Sequence, residues 1–461
     1  MKFKHGGYTP RIAGRPSGNV DVIPPQKNIR LTLLRNGMAY KPLITSGAPV
    51  KTGDLLAEAK IGKGKVFLPS PCAGKAVLNS GKKVSYINIT DIDPEDAATT
   101  LNPMSLSKAS RGELVDALCR GGAWQYFWSS ARQAIPDPAG ETGPSIILIN
   151  CILTEPFRAR GNIVISNWWD SIVQGIRFLE HLTAEYGRIE IILTSPKSPL
   201  AKKMYDDLRG FAWVRFHDVP RRYPVENRLL MTKELKRAVG GTKIGGDIWV
   251  IDVQGVKAVG ECLAEGRPAA TRLIGLGGPG EKNPRHVEAG IGTPWSAFLG
   301  DDADGNIFLR GGLINGTVTG EDERYVTYDD DAVFVLPEMK KGEFLTFIRP
   351  GFNRTSYSRT FVSKLTRGVD RHITNSLRGE LRPCIGCGLC EEICPACIMP
   401  QIIHRYLYRD AIDEAEKSGL FKCVDCNLCT YICPSKIELQ AEFANAREQI
   451  LSERKDTLEE A

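Results

Sequence analysis

Two matching stretches decide the fold of the C-terminal part, residues 384–395 (CIGCGLCEEICP) and residues 423–434 (CVDCNLCTYICP). In each stretch three cysteines stand two residues apart, a fourth follows after three more residues, and a proline comes next. The second stretch repeats the first at an offset of 39 residues. This spacing is typical of bacterial-type [4Fe-4S] ligation, in which the fourth cysteine of each run ligates the other cluster. The sequence therefore predicts two clusters.

The predicted ligand sets follow from how many irons of a cluster the cysteines of one run can contact. Three thiolates on one tight loop can wrap one face of a cubane, but they cannot also reach its fourth iron. The first cluster is therefore assigned to Cys384, Cys387, Cys390 and Cys433, and the second to Cys423, Cys426, Cys429 and Cys394. Zinc is the alternative metal, but zinc sites usually combine separated cysteine pairs or Cys/His sets, and no histidine stands in a ligand position here.

The segment between the two runs is predicted to be helical. Its apolar residues recur near helical spacing, and Lys417 followed by Gly419 is typical of a helix end. Residues 344–461 are therefore predicted to form a linker and an all-helical dicluster ferredoxin domain.

The remainder of the chain predicts a multidomain α/β protein. Short strands separated by Gly and Pro indicate a β barrel-sandwich module in residues 1–100. Strands and helices then alternate, which favours a parallel, Rossmann-like α/β domain in residues 101–281. A Gly/Pro-rich stretch leads into residues 282–343, where further short strands predict a small β-rich module.

Composition excludes several classes of protein. The chain has 461 residues, of which 42% are hydrophobic, so it can bury real cores and is not disordered. No apolar run approaches the ~20 residues of a membrane-spanning helix, and the first residues lack the apolar core of a secretory signal. Nine of the thirteen cysteines crowd into residues 384–433, which favours metal binding in the cytoplasm over disulfides. The basic N-terminal region lacks clustered aromatic residues, so nucleic acid is not an expected partner.

Several segments in series resemble the RnfC/NqrA family, the peripheral subunits of ion-translocating ferredoxin:NAD and NADH:quinone oxidoreductases. They are FKHGGYTPRIAGRP near the N-terminus, YPVENRLL, RGGLINGTV, IRPGFNRTSYSRTF and the dicluster C-terminus. The resemblance implies that residues 282–343 form a β-grasp module. It also implies a chain at the cytoplasmic face of a membrane, with integral membrane subunits as partners and a ferredoxin or flavoprotein as soluble electron donor. Ion transport and quinone reduction would be activities of the whole complex.

The resemblance also draws attention to a degenerate flavin site. In related flavin subunits a GGAGFPT loop holds FMN and an NxxExEP segment completes the site. Here the matching residues are Gly121, Gly122 and Ala123, with Glu155 and Pro156 in the second segment. Trp124 stands where a glycine would let the backbone approach the flavin. FMN is therefore not an expected cofactor, and direct oxidation of NADH by this chain is not expected either.

The expected function is that of an iron–sulfur subunit, which passes single electrons through two [4Fe-4S] clusters between a soluble donor and membrane partners. No catalytic residue is assigned. An alternative is a self-contained, NADH-dependent flavin reductase of the cobalamin-reductase type. A third possibility is an assembly scaffold whose clusters are structural, although a single cluster or a zinc ion would suffice for folding.

Overall fold

The computed structural model describes residues 1, 3, 5–35, 37–80, 85–92, 99–239, 245–300, 305–338, 352, 373 and 381–460. These residues form a mixed α/β protein with several sheets and ten α-helices.

The N-terminal region is built from short strands. They are β1 (Val20–Val22), β2 (Ile29–Thr32), β3 (Leu34–Arg35), β4 (Met38–Ala39), β5 (Lys41–Pro42), β6 (Ala48–Val50), β7 (Leu55–Ile61), β8 (Gly64–Pro69), β9 (Gly74–Ser80) and β10 (Ser85–Thr90). A four-stranded sheet has the order β2-β10-β9-β6, and a three-stranded sheet has the order β5-β7-β8. Alternation along β10 buries Ile87 and Ile89 and leaves Ser85 exposed, as expected for a sheet with one face on a core.

Strands and helices alternate in the central region. They are α1 (Arg111–Arg120), β11 (Trp128–Ser129), β12 (Ile146–Asn150), α2 (Gly161–Glu180), β13 (Arg188–Leu193), α3 (Pro199–Leu208), β14 (Val214–Asp218), α4 (Arg228–Ala238), β15 (Ile248–Asp252) and α5 (Val253–Glu265). The sheet has the order β11-β15-β12-β13-β14, and all neighbouring pairs are parallel except β11 with β15. Every residue of β12 is buried, which is typical of a parallel strand covered on both faces.

Helices α2 and α5 pack together through two glycines. A Cβ atom on Gly260 would lie 1.9 Å from the backbone oxygen of Ser171, and one on Gly175 would lie 2.3 Å from that of Val256. Real Cβ atoms do not approach backbone this closely, so both positions need glycine. The close packing holds the two helices against each other beside the central sheet.

A six-stranded sheet follows the central region. Its remaining strands are β16 (Thr271–Gly277), β17 (Arg285–Gly290), β18 (Asn306–Arg310), β19 (Thr317–Val318) and β20 (Ala332–Pro337), and its order is β1-β17-β16-β20-β18-β19. Strand β1 pairs parallel with β17, while β16 and β17 pair antiparallel. The sheet therefore includes β1 and β16, two strands that lie outside residues 282–343.

All regular elements of residues 381–460 are helical. The α-helices are α6 (Leu389–Glu392), α7 (Pro400–Leu407), α8 (Ile412–Lys417), α9 (Leu428–Ile432) and α10 (Leu439–Glu460). The two helices α7 and α8 occupy the segment between the cysteine runs, where the apolar spacing predicts helix. Ile393, Ile403, Leu428 and Phe443 are fully buried and form the core of this region.

Among the described residues, no helix combines the length and the apolarity that crossing a membrane requires.

Candidate metal centres

The eight cysteines of the two runs divide between two cavities in the helical region. The first cavity is lined by Cys384, Cys387, Cys390 and Cys433. The second cavity is lined by Cys394, Cys423, Cys426 and Cys429. Each cavity thus has three cysteines from one run and a fourth from the other, which is the grouping that the spacing predicts.

Backbone conformation is shared by the two cysteine loops. Gly386 and Gly388 have positive φ angles of 67° and 74°, and the equivalent residues of the second run, Asp425 and Asn427, have 53° and 58°. Asp and Asn tolerate this left-handed conformation better than other residues that have a side chain. Alternating left-handed residues of this kind turn successive N–H groups toward one concave side of the loop. The loops can therefore offer hydrogen bonds to negatively charged sulfur.

The fourth cysteine of each run follows a short helix. Cys394 comes just after α6 and Cys433 just after α9, and these two helices pack against each other. Because α6 starts in the first loop and α9 in the second, their contact carries each fourth cysteine to the opposite cavity. A proline follows each of the two cysteines and cannot continue the helix.

Burial disfavours free thiolates in both cavities. It raises the pKa of the Cys390 thiol to about 11 and that of Cys426 to about 12. Burial also raises the pKa of Cys394, Cys423 and Cys429, although backbone N–H groups oppose the shift at each of these three sulfurs. These thiols are protonated at neutral pH without metal, so ligation would release protons.

The donor set suits iron–sulfur clusters. Among the described residues that line the two cavities, the metal-binding side chains are thiols, and there is neither a carboxylate nor an imidazole. Thiolates favour iron–sulfur clusters, whereas Mg²⁺ and Ca²⁺ prefer oxygen. No group of three or more His, Cys, Asp or Glu side chains in the described part of the chain closes around a single metal ion.

One glutamine lines each cavity at the same place in the repeat. Gln401 borders the first cavity and Gln440 borders the second, and the offset between them is again 39 residues. The Oε1 atom of Gln401 lies 3.3 Å from the sulfur of Cys390. Sequence reasoning stops at the prolines and misses these residues, although extending the repeat by six positions would have found them.

Both segments that resemble a flavin site form hydrogen bonds within the protein. The Gly121 carbonyl accepts a hydrogen bond from the N–H of Ala269 at 2.9 Å, and the Gly122 carbonyl accepts one from Arg35 at 3.1 Å. Ala123 is fully buried, and so is the neighbouring Trp124, whose indole N–H donates to the Pro136 carbonyl at 2.9 Å.

Glu155 and Pro156 lie beyond the end of β12. One carboxylate oxygen of Glu155 accepts hydrogen bonds from the N–H groups of Ile314 and Asn315 at 2.9 and 2.8 Å. Within the described residues, no hydrogen bond joins this segment to Gly121–Ala123. Trp124 fills the place of the expected glycine, and the Glu155 carboxylate already accepts two backbone hydrogen bonds. These residues therefore do not fit a bound flavin.

Comparisons with known proteins agree with the cysteine geometry. Residues 380–437 match the family described as "4Fe-4S dicluster domain", so the C-terminal region carries a ferredoxin-like domain. The NqrA protein of the Na(+)-translocating NADH-quinone reductase of Rhodopirellula baltica is 26% identical over 426 residues, which cover 89% of each chain. The NqrA protein of Cellvibrio japonicus is 26% identical over 431 residues, which cover 91% of this chain and 92% of that protein.

Solved structures give a more distant likeness. A NAD+-reducing [NiFe]-hydrogenase in the H2-reduced state aligns over 76% of this chain and 69% of that chain, with a TM-score of 0.40 and 10% identity. The sequence matches, by contrast, confirm the family resemblance that the motifs indicate.

Proposed function

We propose that this chain, which resembles the RnfC/NqrA family along about nine-tenths of its length, is an iron–sulfur electron-transfer subunit of a membrane-associated oxidoreductase complex. In this proposal residues 1–100 form a barrel-sandwich module, residues 101–281 a Rossmann-like domain, residues 282–343 a β-grasp module and residues 344–461 a linker with a dicluster domain. Strands β1 and β16, from the first two of these segments, complete the sheet of the β-grasp module. The partners are integral membrane subunits and a soluble electron donor. The chain works at the cytoplasmic face of the membrane.

The proposal rests on one observation, the division of eight cysteines into two four-thiol cavities. Each cavity is the binding site of one [4Fe-4S] cluster. When bound, such clusters accept and release single electrons. The protein supplies the thiol ligands, the left-handed loop residues that aim N–H groups at sulfur, and a buried apolar core that limits access of water.

Flavin chemistry is not part of the proposed function. Trp124 packs edge-on against Trp249 at a centroid distance of 5.3 Å, so it is part of the core and not a movable lid. Electrons therefore reach the clusters from a partner protein, and the loop around Gly121–Ala123 serves as a structural turn between α1 and the central sheet.

The test is anaerobic purification of the full chain, followed by iron, sulfide and flavin analysis and by EPR after reduction with dithionite. About eight iron atoms per chain, no flavin and a reducible EPR signal support the proposal. Stoichiometric FMN with cluster reduction by NADH would instead favour the flavin reductase. Clusters that dithionite cannot reduce would leave a structural scaffold, and a colourless or zinc-containing protein would overturn the cluster assignment.

A matched pair of cysteine variants makes this test specific. Cys387→Ser removes a thiol from the first cavity and should lower the iron content by about half. Cys72→Ser changes a free, partly buried cysteine outside both cavities and should leave the iron content unchanged.

A further inference from the structure

The loop of residues 423–426 borders the second cavity, and side chains from outside the loop hydrogen-bond to its backbone. All four carbonyl oxygens accept a hydrogen bond from a side chain. The pairs are Arg447 Nη1 with Cys423 at 3.2 Å, Asn227 Nδ2 with Val424 at 2.9 Å, Asn315 Nδ2 with Asp425 at 3.3 Å, and Tyr223 Oη with Cys426 at 2.8 Å. We call Tyr223, Asn227 and Asn315 the clamp, because these three side chains come from outside the helical region.

Two members of the clamp can only act as donors toward the loop. The Oδ1 atom of Asn227 accepts from the N–H groups of Leu229 and Leu230 at the start of α4, so its Nδ2 must face Val424. The Tyr223 hydroxyl lies 2.8 Å from the Cys426 carbonyl oxygen, which can only accept a hydrogen bond, so the phenol is the donor. Neither side chain can turn its acceptor atom to the loop without losing these contacts.

The third member, Asn315, is positioned by the segment that follows β12. Its backbone N–H donates to the Glu155 carboxylate at 2.8 Å, and its Nδ2 donates to the Tyr223 hydroxyl at 2.7 Å. The hydrogen bonds from Asn315 to Tyr223 and from Tyr223 to Cys426 form a chain, in which each bond polarises the next. One hydrogen bond runs from the helical region to the segment outside it, because the Nδ2 atom of Asn427 donates to the Ile314 carbonyl at 2.7 Å.

In the part of the chain that the structure describes, the first cavity has no equivalent of the clamp. Within the described residues, no side chain donates to the carbonyl oxygens of residues 384–387. Ile385 is 69% exposed and Cys387 is exposed as well. The two loops share their backbone conformation, so among the described residues they differ in the side chains that hold their carbonyl groups.

We propose that Tyr223, Asn227 and Asn315 are positioning residues that raise the reduction potential of the second cluster. This inference rests on the proposed function, because it needs clusters in both cavities. Donors that hold the carbonyl oxygens outward keep the positive ends of the same peptide dipoles turned toward the cavity. A reduced cluster carries one more negative charge than an oxidised cluster, so this orientation favours the reduced form.

The experiment is an anaerobic redox titration with dithionite and mediators, followed by EPR, on the full chain and its Tyr223→Phe variant. The EPR signals are assigned with Cys387→Ser, which should perturb the first cluster alone. At a fixed ambient potential, Tyr223→Phe should lower the ratio of reduced to oxidised second cluster about threefold to tenfold, the range expected for one hydrogen bond. The first cluster should keep its potential.

Two further variants keep the test decisive. Asn315→Ala changes an exposed side chain and should shift the second cluster in the same direction, even if Tyr223→Phe assembles poorly. Tyr126→Phe removes another buried hydroxyl, which donates to the Tyr328 carbonyl, and should shift neither potential.

The outcomes separate this inference from the proposed function. A metal-free wild-type chain overturns both proposals. Two clusters whose potentials do not respond to Tyr223→Phe and Asn315→Ala overturn the clamp alone, and so do variants that shift both clusters equally or shift only the first.

Discussion

Cys394 lines the same cavity as Cys426, although it follows Cys390 of the other cavity by only four residues. The short helix α6 separates the two neighbours, and its contact with α9 directs Cys394 across the domain. The two cavities are therefore interdependent, since each loses one of its four thiols if the opposite cysteine run is displaced.

The first prediction tests whether each cluster takes its fourth ligand from the other cysteine run. Cys433→Ser should damage the cluster of Cys384, Cys387 and Cys390 and leave the other EPR signal intact, because Cys433 lines the first cavity. Cys394→Ser should do the reverse. Anaerobic EPR of the two variants measures this directly, and damage confined to the cluster of each variant's own run would contradict the assignment.

The second prediction concerns the contact of α2 with α5. Gly260→Ala should lower the free energy of unfolding by about 1–3 kcal/mol, because the added Cβ meets the Ser171 backbone oxygen in a packed interface. Gly112→Ala is the matched control, since nothing lies within 4 Å of its added Cβ in helix α1. That control should be neutral or stabilising by about 0.5 kcal/mol. Urea denaturation followed by circular dichroism compares the two, and equal stabilities would refute the close packing.

The third prediction is the stability cost of Trp124→Ala. Trp124 is fully buried against Phe127 and Trp249, so its truncation should lower the free energy of unfolding by about 3–5 kcal/mol. Thermal unfolding measures the loss. A variant as stable as the wild type would mean that the indole is not part of the core.

The fourth prediction is a pH dependence from His286, whose side chain is fully buried. Its Nδ1 donates to the Ser17 carbonyl at 2.8 Å, and its Nε2 accepts from the Arg160 N–H at 3.4 Å. Burial lowers the pKa of His286 to about 4, and the charge of Arg160 acts in the same direction. The unfolded chain takes up this proton near pH 6.5, so stability is lost as pH falls from about 6.5 to about 4.

The difference between the pKa of His286 in the unfolded and in the folded chain sets the size of the loss in stability. Between pH 7 and pH 5 the unfolding free energy should fall by about 2 kcal/mol more in the wild type than in His286→Asn. Urea denaturation at the two pH values measures it, and any acid damage to the clusters cancels in the comparison. Parallel pH profiles of the two proteins would contradict the assignment to His286.

Local patterns in the sequence predict much of the metal-binding region. The cysteine spacing predicts which thiols share a cavity, because the reach of a short loop is a local property. Glycines at positions 386 and 388 of the first run also indicate left-handed backbone, and Asp425 and Asn427 of the second run are compatible with it. The helical connection follows from apolar periodicity alone.

The contacts around the second cavity are not predictable in this way. Tyr223 and Cys426 are 203 residues apart, and Asn315 and Asp425 are 110 residues apart, so no local pattern relates them. The same limit applies to β16, which sequence reasoning places with the preceding α/β segment. In the structure β16 pairs antiparallel with β17 in the six-stranded sheet, because consecutive strands joined by a short connection tend to pair.

The position of β1 bears on how the protein is made. The partners of Val20–Val22 on β17, His286 to Glu288, are synthesised 266 residues later. The N-terminal segment also contacts the backbone at Cys394, which lines the second cavity: the Gly7 N–H donates to the Ile393 carbonyl, and Gly6 leaves no room for a Cβ beside Cys394. Gly6, Gly7 and β1 therefore cannot dock until these later partners have been synthesised.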